Sequence, residues 1–166
     1  RITYADAMEK YGSDKPDLRF GMELVDLSDV FKDSEFGVFK NAVANGGAVK
    51  AICVKDGASL SRSQIDTFTE IAKGEGAGGL AYLTYKDGEA QSPITKFMNE
   101  AELAEVKARS QAQNGDAVFF GADRRHVVNK VLGKLRNSFA DHFALKNPDM
   151  ISLAWIIVFP FYELDE

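Results

Sequence analysis

The strongest structural signal in the sequence is an apolar stripe that runs from Val127 to Phe143. Its members recur every three or four residues: Val127, Val128, Val131, Leu132, Leu135, Phe139 and Phe143. A helix with one apolar face must pack that face against another layer of the protein. The stripe therefore predicts a long helix, capped at its N-terminus by Asp123, that lies across a sheet or a second helix.

Four shorter segments have the composition of β-strands. AVKAICVK (48–55), LAYLTY (80–85) and DAVFFG (116–121) are rich in branched, aromatic or uninterrupted apolar residues, which favour strands. FGVFK (36–40) is predicted to pair with 48–55 across the turn-forming Asn-Gly-Gly at 45–47. We therefore expect a sheet with at least one hairpin.

Further helices are indicated by their start signals. Two pairs have the spacing of a capping box: Ser61 with Gln64, and Asn99 with Glu102. They predict helices that continue to Gly74 and to about Ala112. Short helices are also expected in 3–11, behind Thr3, and in MELVDLSDVFK (22–32), whereas 93–97 is expected to be extended.

The order of these elements defines the expected fold class. Between residues 36 and 143 it reads strand, strand, helix, strand, helix, strand, helix. Such a mixture favours an α+β fold in two layers, with a mainly antiparallel sheet and helices packed on one face.

Composition narrows the possible functions. The chain has 166 residues, 45% of them hydrophobic, which is enough for one core, and a net charge of −5. An acidic chain is repelled by a phosphate backbone, so RNA contact would need a local basic patch. No apolar run resembles a membrane span or a signal peptide, so a cytoplasmic location is expected. The start at Arg1 and the apolar run ending at Tyr162 are interpreted as signs of an excised piece.

Chemical motifs are weak. GEGAGG (74–79) matches a dinucleotide-binding pattern but follows a helix and leads into a strand, so it is interpreted as a helix stop and loop. His126 and His142 project from nearly opposite faces of the long helix. The sequence has two histidines and one cysteine, Cys53, so sulfur and imidazole ligands cannot complete a closed zinc site. We assign no catalytic residue and no metal ligand.

Basic residues concentrate on the long helix. Arg124, Arg125, Lys130 and Lys134, followed by Arg136, form a local excess of positive charge that could meet a phosphate backbone. The alternative, which we favour, is a solvated face whose side-chain stems cover apolar surface.

Both ends of the chain resemble one enzyme family. TYADAMEKYGSDKPDLR (3–19) is similar to the segment of bacterial-type aspartyl-tRNA synthetases in which T-Y-x-E-A-M is followed by G-S-D-K-P-D-L-R. WIIVFPFYE (155–163) resembles the family's W-x-x-D-F-P-x-F-E strand, with Val158 at the usual Asp position, where a buried strand would accommodate valine. The part between resembles the inserted GAD domain, through GASLSRSQID (57–66), GAGGLAYL (76–83), SPITKF (92–97) and NGDAVFFGAD (114–123).

The resemblance implies an organisation and a parent enzyme. Residues 1–26 would be a flank of a class II catalytic core, 27–147 the inserted domain with a GAD/DCoH-like fold, and 148–166 the returning core strand. The parent would be a cytoplasmic homodimer that uses ATP and Mg²⁺ to attach aspartate to tRNA(Asp). The signature motifs of the core lie outside this segment, so the piece alone is expected to be inactive and to bind no cofactor.

The resemblance also suggests site residues. Lys15 and Arg19 fall in the strip that borders the active site of the parent, while Arg124, Arg125 and the two lysines are candidates for tRNA contact. The partners of this chain would be the remainder of the synthetase chain and tRNA(Asp). Two alternatives stay open: an accessory domain of a tRNA-dependent amidotransferase, and a purely structural insertion without RNA contact.

Overall fold

A five-stranded antiparallel sheet forms the centre of the computed structural model, which describes residues 1–162. Strands β1 (Ile2–Thr3) and β7 (Ile156–Ile157) form a separate two-stranded sheet. The five-stranded sheet contains β2 (Leu24–Asp26), β3 (Ala48–Val54), β4 (Ala81–Lys86), β5 (Glu89–Gln91) and β6 (Ala117–Asp123). The helices are α1 (Tyr4–Tyr11), α2 (Ser28–Phe31), α3 (Gly37–Ala44), α4 (Arg62–Gly74), α5 (Glu100–Ser110) and α6 (Arg125–His142). Short 3₁₀ turns lie at Gly57–Ser59 and Thr95–Phe97.

The order of strands in the main sheet is β2-β3-β6-β4-β5, and each neighbouring pair is antiparallel. The longest pairing joins β3 to β6, from Ala48 opposite Asp123 to Val54 opposite Ala117. Because side chains alternate across a strand, β6 sends Phe119 to one face and Phe120 to the other. The α+β class and the antiparallel sheet predicted from the sequence are confirmed.

Helices α4 and α6 form the expected layer on one face of the sheet. There Phe68 of α4 and Phe139 of α6 pack against Phe119, with centroids 4.2 Å apart for Phe68–Phe139 and 4.7 Å for Phe119–Phe139. The shorter helices α2, α3 and α5 pack on the opposite face, around Phe120, in a second apolar cluster that the sequence did not predict. Residues of the central strands are therefore buried on both sides.

The segment FGVFK, predicted as a strand, is helical, and the expected hairpin with 48–55 is wrong. Phe39 is buried, Phe36 and Val43 are half-buried, and the intervening Val38 is exposed. The 3- and 4-residue spacing of the covered positions is helical, although two adjacent apolar residues also fit a buried strand. The Asn-Gly-Gly sequence ends α3, where Gly47 N–H donates to the Ala42 carbonyl.

Three smaller predictions need correction. The helix expected in 22–32 is instead strand β2 followed by the single turn α2, because Asp26 Oδ1 accepts from the Ser28 N–H and turns the chain. The stretch 93–97 ends in a 3₁₀ turn rather than being extended. Asp123 closes β6, and the N-cap of α6 is Arg124, which has no capping side-chain bond. Both capping boxes are confirmed.

Cys53 lies half-buried in β3, with Sγ 3.8 Å from Asp116 Oδ2. Burial raises the pKa of its thiol to about 11. The Asp116 carboxylate also accepts from Lys55 Nζ at 2.7 Å and from the Gln113 N–H at 2.8 Å. These bonds outweigh burial and lower the pKa of Asp116.

The raised thiol pKa predicts slow alkylation. At pH 8 the folded chain should react with iodoacetamide about 100-fold more slowly than the unfolded chain, because only the thiolate is nucleophilic. The rate can be followed by mass spectrometry with and without urea. Equal rates in the two conditions would contradict the burial of Cys53.

No helix within residues 1–162 is long and apolar enough to cross a membrane.

Candidate functional site

The GSDKPDLR strip begins at Gly12, where α1 meets α6 backbone to backbone. Gly12 caps α1 in the left-handed region, with φ of 66°, and its N–H donates to the Met8 carbonyl. A Cβ on Gly12 would lie 2.0 Å from the Asn129 carbonyl oxygen, and one on Gly133 would lie 2.5 Å from the Gly12 oxygen. Only glycine fits at both positions of this contact.

Arg136 of α6 fixes the rest of the strip through its backbone. The buried guanidinium donates from Nε to the Met22 carbonyl at 3.1 Å. Its Nη2 donates to the carbonyls of Asp17, Phe20 and Gly21 at 2.8, 3.0 and 2.9 Å. The sequence had placed Arg136 among solvated basic residues, and that interpretation is wrong.

Two aromatic rings cover the same guanidinium. Its Cζ lies 4.9 Å from the centroid of Tyr11 and 4.1 Å from that of Phe20. Burial lowers the pKa of Arg136, but an arginine stays protonated in proteins. The positive charge is therefore held by carbonyl oxygens and ring faces, both of which attract cations.

Lys15 and Arg19, predicted to border the active site of a parent enzyme, have different surroundings. The Lys15 side chain is exposed, and the backbone N–H of Lys15 donates to Ser13 Oγ. Arg19 forms a two-pronged pair with Asp17, from Nε to Oδ1 at 3.0 Å and from Nη2 to Oδ2 at 2.7 Å. This hydrogen bonding lowers the pKa of Asp17 to about 2. Lys15 is thus accessible, whereas Arg19 is already engaged.

A buried lysine ties α1 to the sheet. Lys50 Nζ, on β3, donates to the Glu9 carbonyl at 3.0 Å, to Glu9 Oε2 at 2.6 Å and to Asn129 Oδ1 at 2.8 Å. Arg125 Nη1 shares Glu9 Oε2 at 2.8 Å and reaches Asp26 Oδ2 at 3.0 Å. Nothing in the sequence pattern singled out Lys50, because it stands within an apolar strand.

The four basic residues predicted for tRNA contact do not form one cluster. Arg125 is directed toward α1 and β2 by the ion pairs just described. Lys130 and Lys134 are exposed and lie on adjacent turns, with Lys130 Nζ 3.2 Å from Glu75 Oε2. Arg124 is exposed at the start of α6. Within residues 1–162, Arg124 and Lys134 have no ion-pair partner.

The two histidines lie far apart on α6. His126 is near its start, and His142 is at its end, with its ring edge-on to Phe68 and Phe143. Residues 1–162 contain no group of three His, Cys, Asp or Glu residues that could hold a metal ion.

GEGAGG starts at Gly74, the last residue of α4, and its later glycines border a groove of about 410 Å³. Pairing of β4 with β6 stops at Ala81 opposite Phe120, and the chain at Gly78 and Gly79 forms one wall of the groove. Val38 and Val127 line it from α3 and α6. The glycines thus form a loop after a helix, as predicted.

The second resembling strip pairs with the first. β7 lies parallel to β1, with Ile2 opposite Ile156 and Thr3 opposite Ile157. The large apolar residues around β7 are exposed: Met150, Ile151, Leu153, Trp155, Val158, Phe159, Phe161 and Tyr162. Val158 is therefore not in a buried strand, and its φ of 58° is unfavourable for a β-branched residue. Glu163 and the three residues after it lie outside the described residues.

The fold, together with a family comparison, defines the class of this protein. The GAD domain model matches residues 39–132, which include β3, β4, β6 and most of α3. The chain belongs to the GAD domain family.

Its most similar relatives include aspartate–tRNA ligases. The aspartate–tRNA(Asp/Asn) ligase of Caldanaerobacter subterraneus subsp. tengcongensis is 48% identical over 166 residues, and that of Symbiobacterium thermophilum is 50% identical over 167. The aspartate–tRNA ligase of Shouchella clausii is 48% identical over 167 residues. All of this chain is matched each time, and it spans 28% of each relative. The predicted family resemblance is confirmed over the whole chain.

Proposed function

We propose that this chain is the inserted domain of an aspartate–tRNA ligase, together with the two segments that join it to the catalytic core. The observation that carries the proposal is the parallel pairing of β1 with β7. It brings the segments before and after the domain side by side, as an insertion between neighbouring strands of a core sheet requires.

The exposed apolar side chains near β7 support the proposal that another part of the protein covers them. Trp155 is 74% exposed and Phe161 is 89% exposed. Large apolar residues that are exposed along one segment, as they are between 150 and 162, are typical of an interaction site. Because the relatives are more than three times as long as this chain, we assign the cover to the remainder of the synthetase. The boundaries 1–26, 27–147 and 148–166 are proposed for the outgoing flank, the inserted domain and the returning flank.

The reaction of the parent is proposed from the relatives and the family resemblance. It would activate aspartate with ATP and Mg²⁺ and transfer it to tRNA(Asp), as a cytoplasmic class II homodimer. The acidic residues within 1–162 do not converge on a common metal position, so we assign no step to Mg²⁺ in this segment. The chain supplies a border of the active site through Lys15 and Arg19.

The exchange reaction tests this assignment. The full-length protein that carries this segment should catalyse aspartate-dependent ATP–pyrophosphate exchange, and residues 1–166 alone should give only background. Adenylate formation needs a pocket assembled from several strands, of which this segment contributes only the rim. Robust exchange by the short chain would refute the proposal, and so would inactivity of the full-length protein.

The exposed face of α6 is proposed to approach tRNA through Arg124, Lys130 and Lys134. Each neutralised phosphate contact contributes to affinity and to its salt dependence. Arg125 would add to the local field while held by Glu9 and Asp26.

A charge-matched pair of triple variants tests the tRNA contact. Changing Arg124, Lys130 and Lys134 to Ala in the full-length protein should weaken tRNA(Asp) binding about 10-fold or more at 100 mM salt and reduce the salt slope. The control changes three exposed lysines elsewhere and lowers the net charge equally: Lys32, Lys86 and Lys96. Equal affinity of the two variants would favour an insertion without RNA contact through α6.

A further inference from the structure

One stripe of α6 interrupts the apolar pattern of that helix. Asn129, Gly133 and Arg136 are spaced by four and three residues, so they lie on one face. All three contact the segment before the sheet: the Asn129 carbonyl oxygen and Gly133 lie against Gly12, and Arg136 binds the strip carbonyls. This face of α6 thus packs on the strip, and it also reaches the sheet where Asn129 Oδ1 accepts from Lys50 Nζ.

Residues 12–22 need such support, because they form neither helix nor strand. An irregular segment keeps its shape only if its backbone groups find partners elsewhere. Four of its carbonyls, those of Asp17, Phe20, Gly21 and Met22, converge on one guanidinium. Arg136 therefore determines the path of the chain directly after Lys15 and through Arg19.

Burying the Arg136 guanidinium costs free energy, and the orientation of the strip carbonyls is the feature that this burial secures. Burying a guanidinium without a carboxylate partner loses hydration, and an apolar residue of similar volume would fill the space. A planar fork with several donors, by contrast, can fix several carbonyl oxygens at once. The hydrogen bonds that Arg136 donates, from Nε and Nη2, all go to the strip, and none of them goes to the sheet or to α4.

We propose that Arg136 is a positioning residue for the aspartate-activating site of the parent enzyme, acting through the shape of residues 17–22. This inference rests on the proposed function. Through Arg136, the inserted domain sets the geometry of a wall of the active site, rather than serving only as a surface for RNA. The guanidinium touches backbone carbonyls and two rings, so its effect on substrates is indirect.

The test uses the full-length protein with Arg136→Met, which fills the space but has no donors. Displacement of the strip should lower kcat/KM for aspartate-dependent exchange by about 10- to 100-fold, mainly through KM, because the strip borders the pocket. The matched control is Leu132→Ala, a buried change on the same helix that faces the sheet. At a temperature where both variants stay folded, the control should keep the wild-type kcat/KM.

Rescue and proteolysis supply readouts beyond stability. Methylguanidinium at millimolar concentration should restore exchange to Arg136→Ala and leave Leu132→Ala unchanged. Trypsin should cleave after Arg19 faster in Arg136→Met than in the control, since the backbone there loses its partners.

The outcomes separate the two claims. Wild-type protein without exchange would overturn the proposed function and the positioning role together. Active wild type, with kcat/KM unchanged in Arg136→Met or equally lowered in Leu132→Ala, would overturn the positioning role alone.

Discussion

Gly133→Ala should lower the free energy of unfolding of this chain by about 2–3 kcal/mol. The new Cβ would lie 2.5 Å from the Gly12 oxygen, 2.9 Å from its carbonyl carbon and 3.0 Å from the Tyr11 oxygen. These are backbone atoms, so no side-chain rotation can relieve the clash. The gain of about 1 kcal/mol that alanine brings to a helix interior is too small to compensate. Urea unfolding, followed by circular dichroism, measures the change.

Gly37→Ala is the matched control. Gly37 is also helical, and a Cβ built there meets nothing within 4 Å. Its stability should be unchanged or slightly increased. If both alanine variants were equally stable, the close approach of α1 to α6 would not be a determinant of the fold.

Phe139→Ala should lower the free energy of unfolding by about 3–5 kcal/mol, the largest effect that we expect from a single core substitution. Its ring is fully buried and touches Phe68 and Phe119, so it joins α6 to α4 and to β6. Removing it leaves a cavity between three elements that cannot all move inward. The midpoint of urea unfolding should fall accordingly, with little change in slope.

Phe161→Ala provides the comparison at an exposed site. Phe161 contacts Tyr162 but is largely in solvent, so stability should change by no more than about 0.5 kcal/mol in this chain. If Phe161→Ala lost as much stability as Phe139→Ala, the region around β7 would pack on the domain more tightly than its exposure indicates.

The parts of the fold predicted from the sequence are those with a strong local signal. The stripe of α6 and the two capping boxes depend on spacing within one element, and the structure confirms them. FGVFK was misassigned because Val38 and Phe39 stand side by side, and only the contact of Phe39 with Phe120 at 5.3 Å decides which period applies. That contact joins residues far apart in sequence, so local propensity could not supply it.

The candidate site was harder to predict for the same reason. Lys15 and Arg19 were selected by family resemblance, and their place at the border of an active site stays a prediction. Arg136 had been grouped with solvated cations, because its partners are backbone carbonyls and carry no sequence signature. One usable signal existed: Asn129, Gly133 and Arg136 fall on a single stripe of a helix whose other inner positions are apolar.

The parallel pairing of β1 with β7 has a topological consequence. Two adjacent parallel strands must be joined by a crossover, usually a helix of a dozen or so residues. Here everything from Tyr4 to Trp155 serves as that single connection. A short loop and helix could therefore replace the whole module in a homologous protein, and β1 and β7 would stay adjacent and parallel.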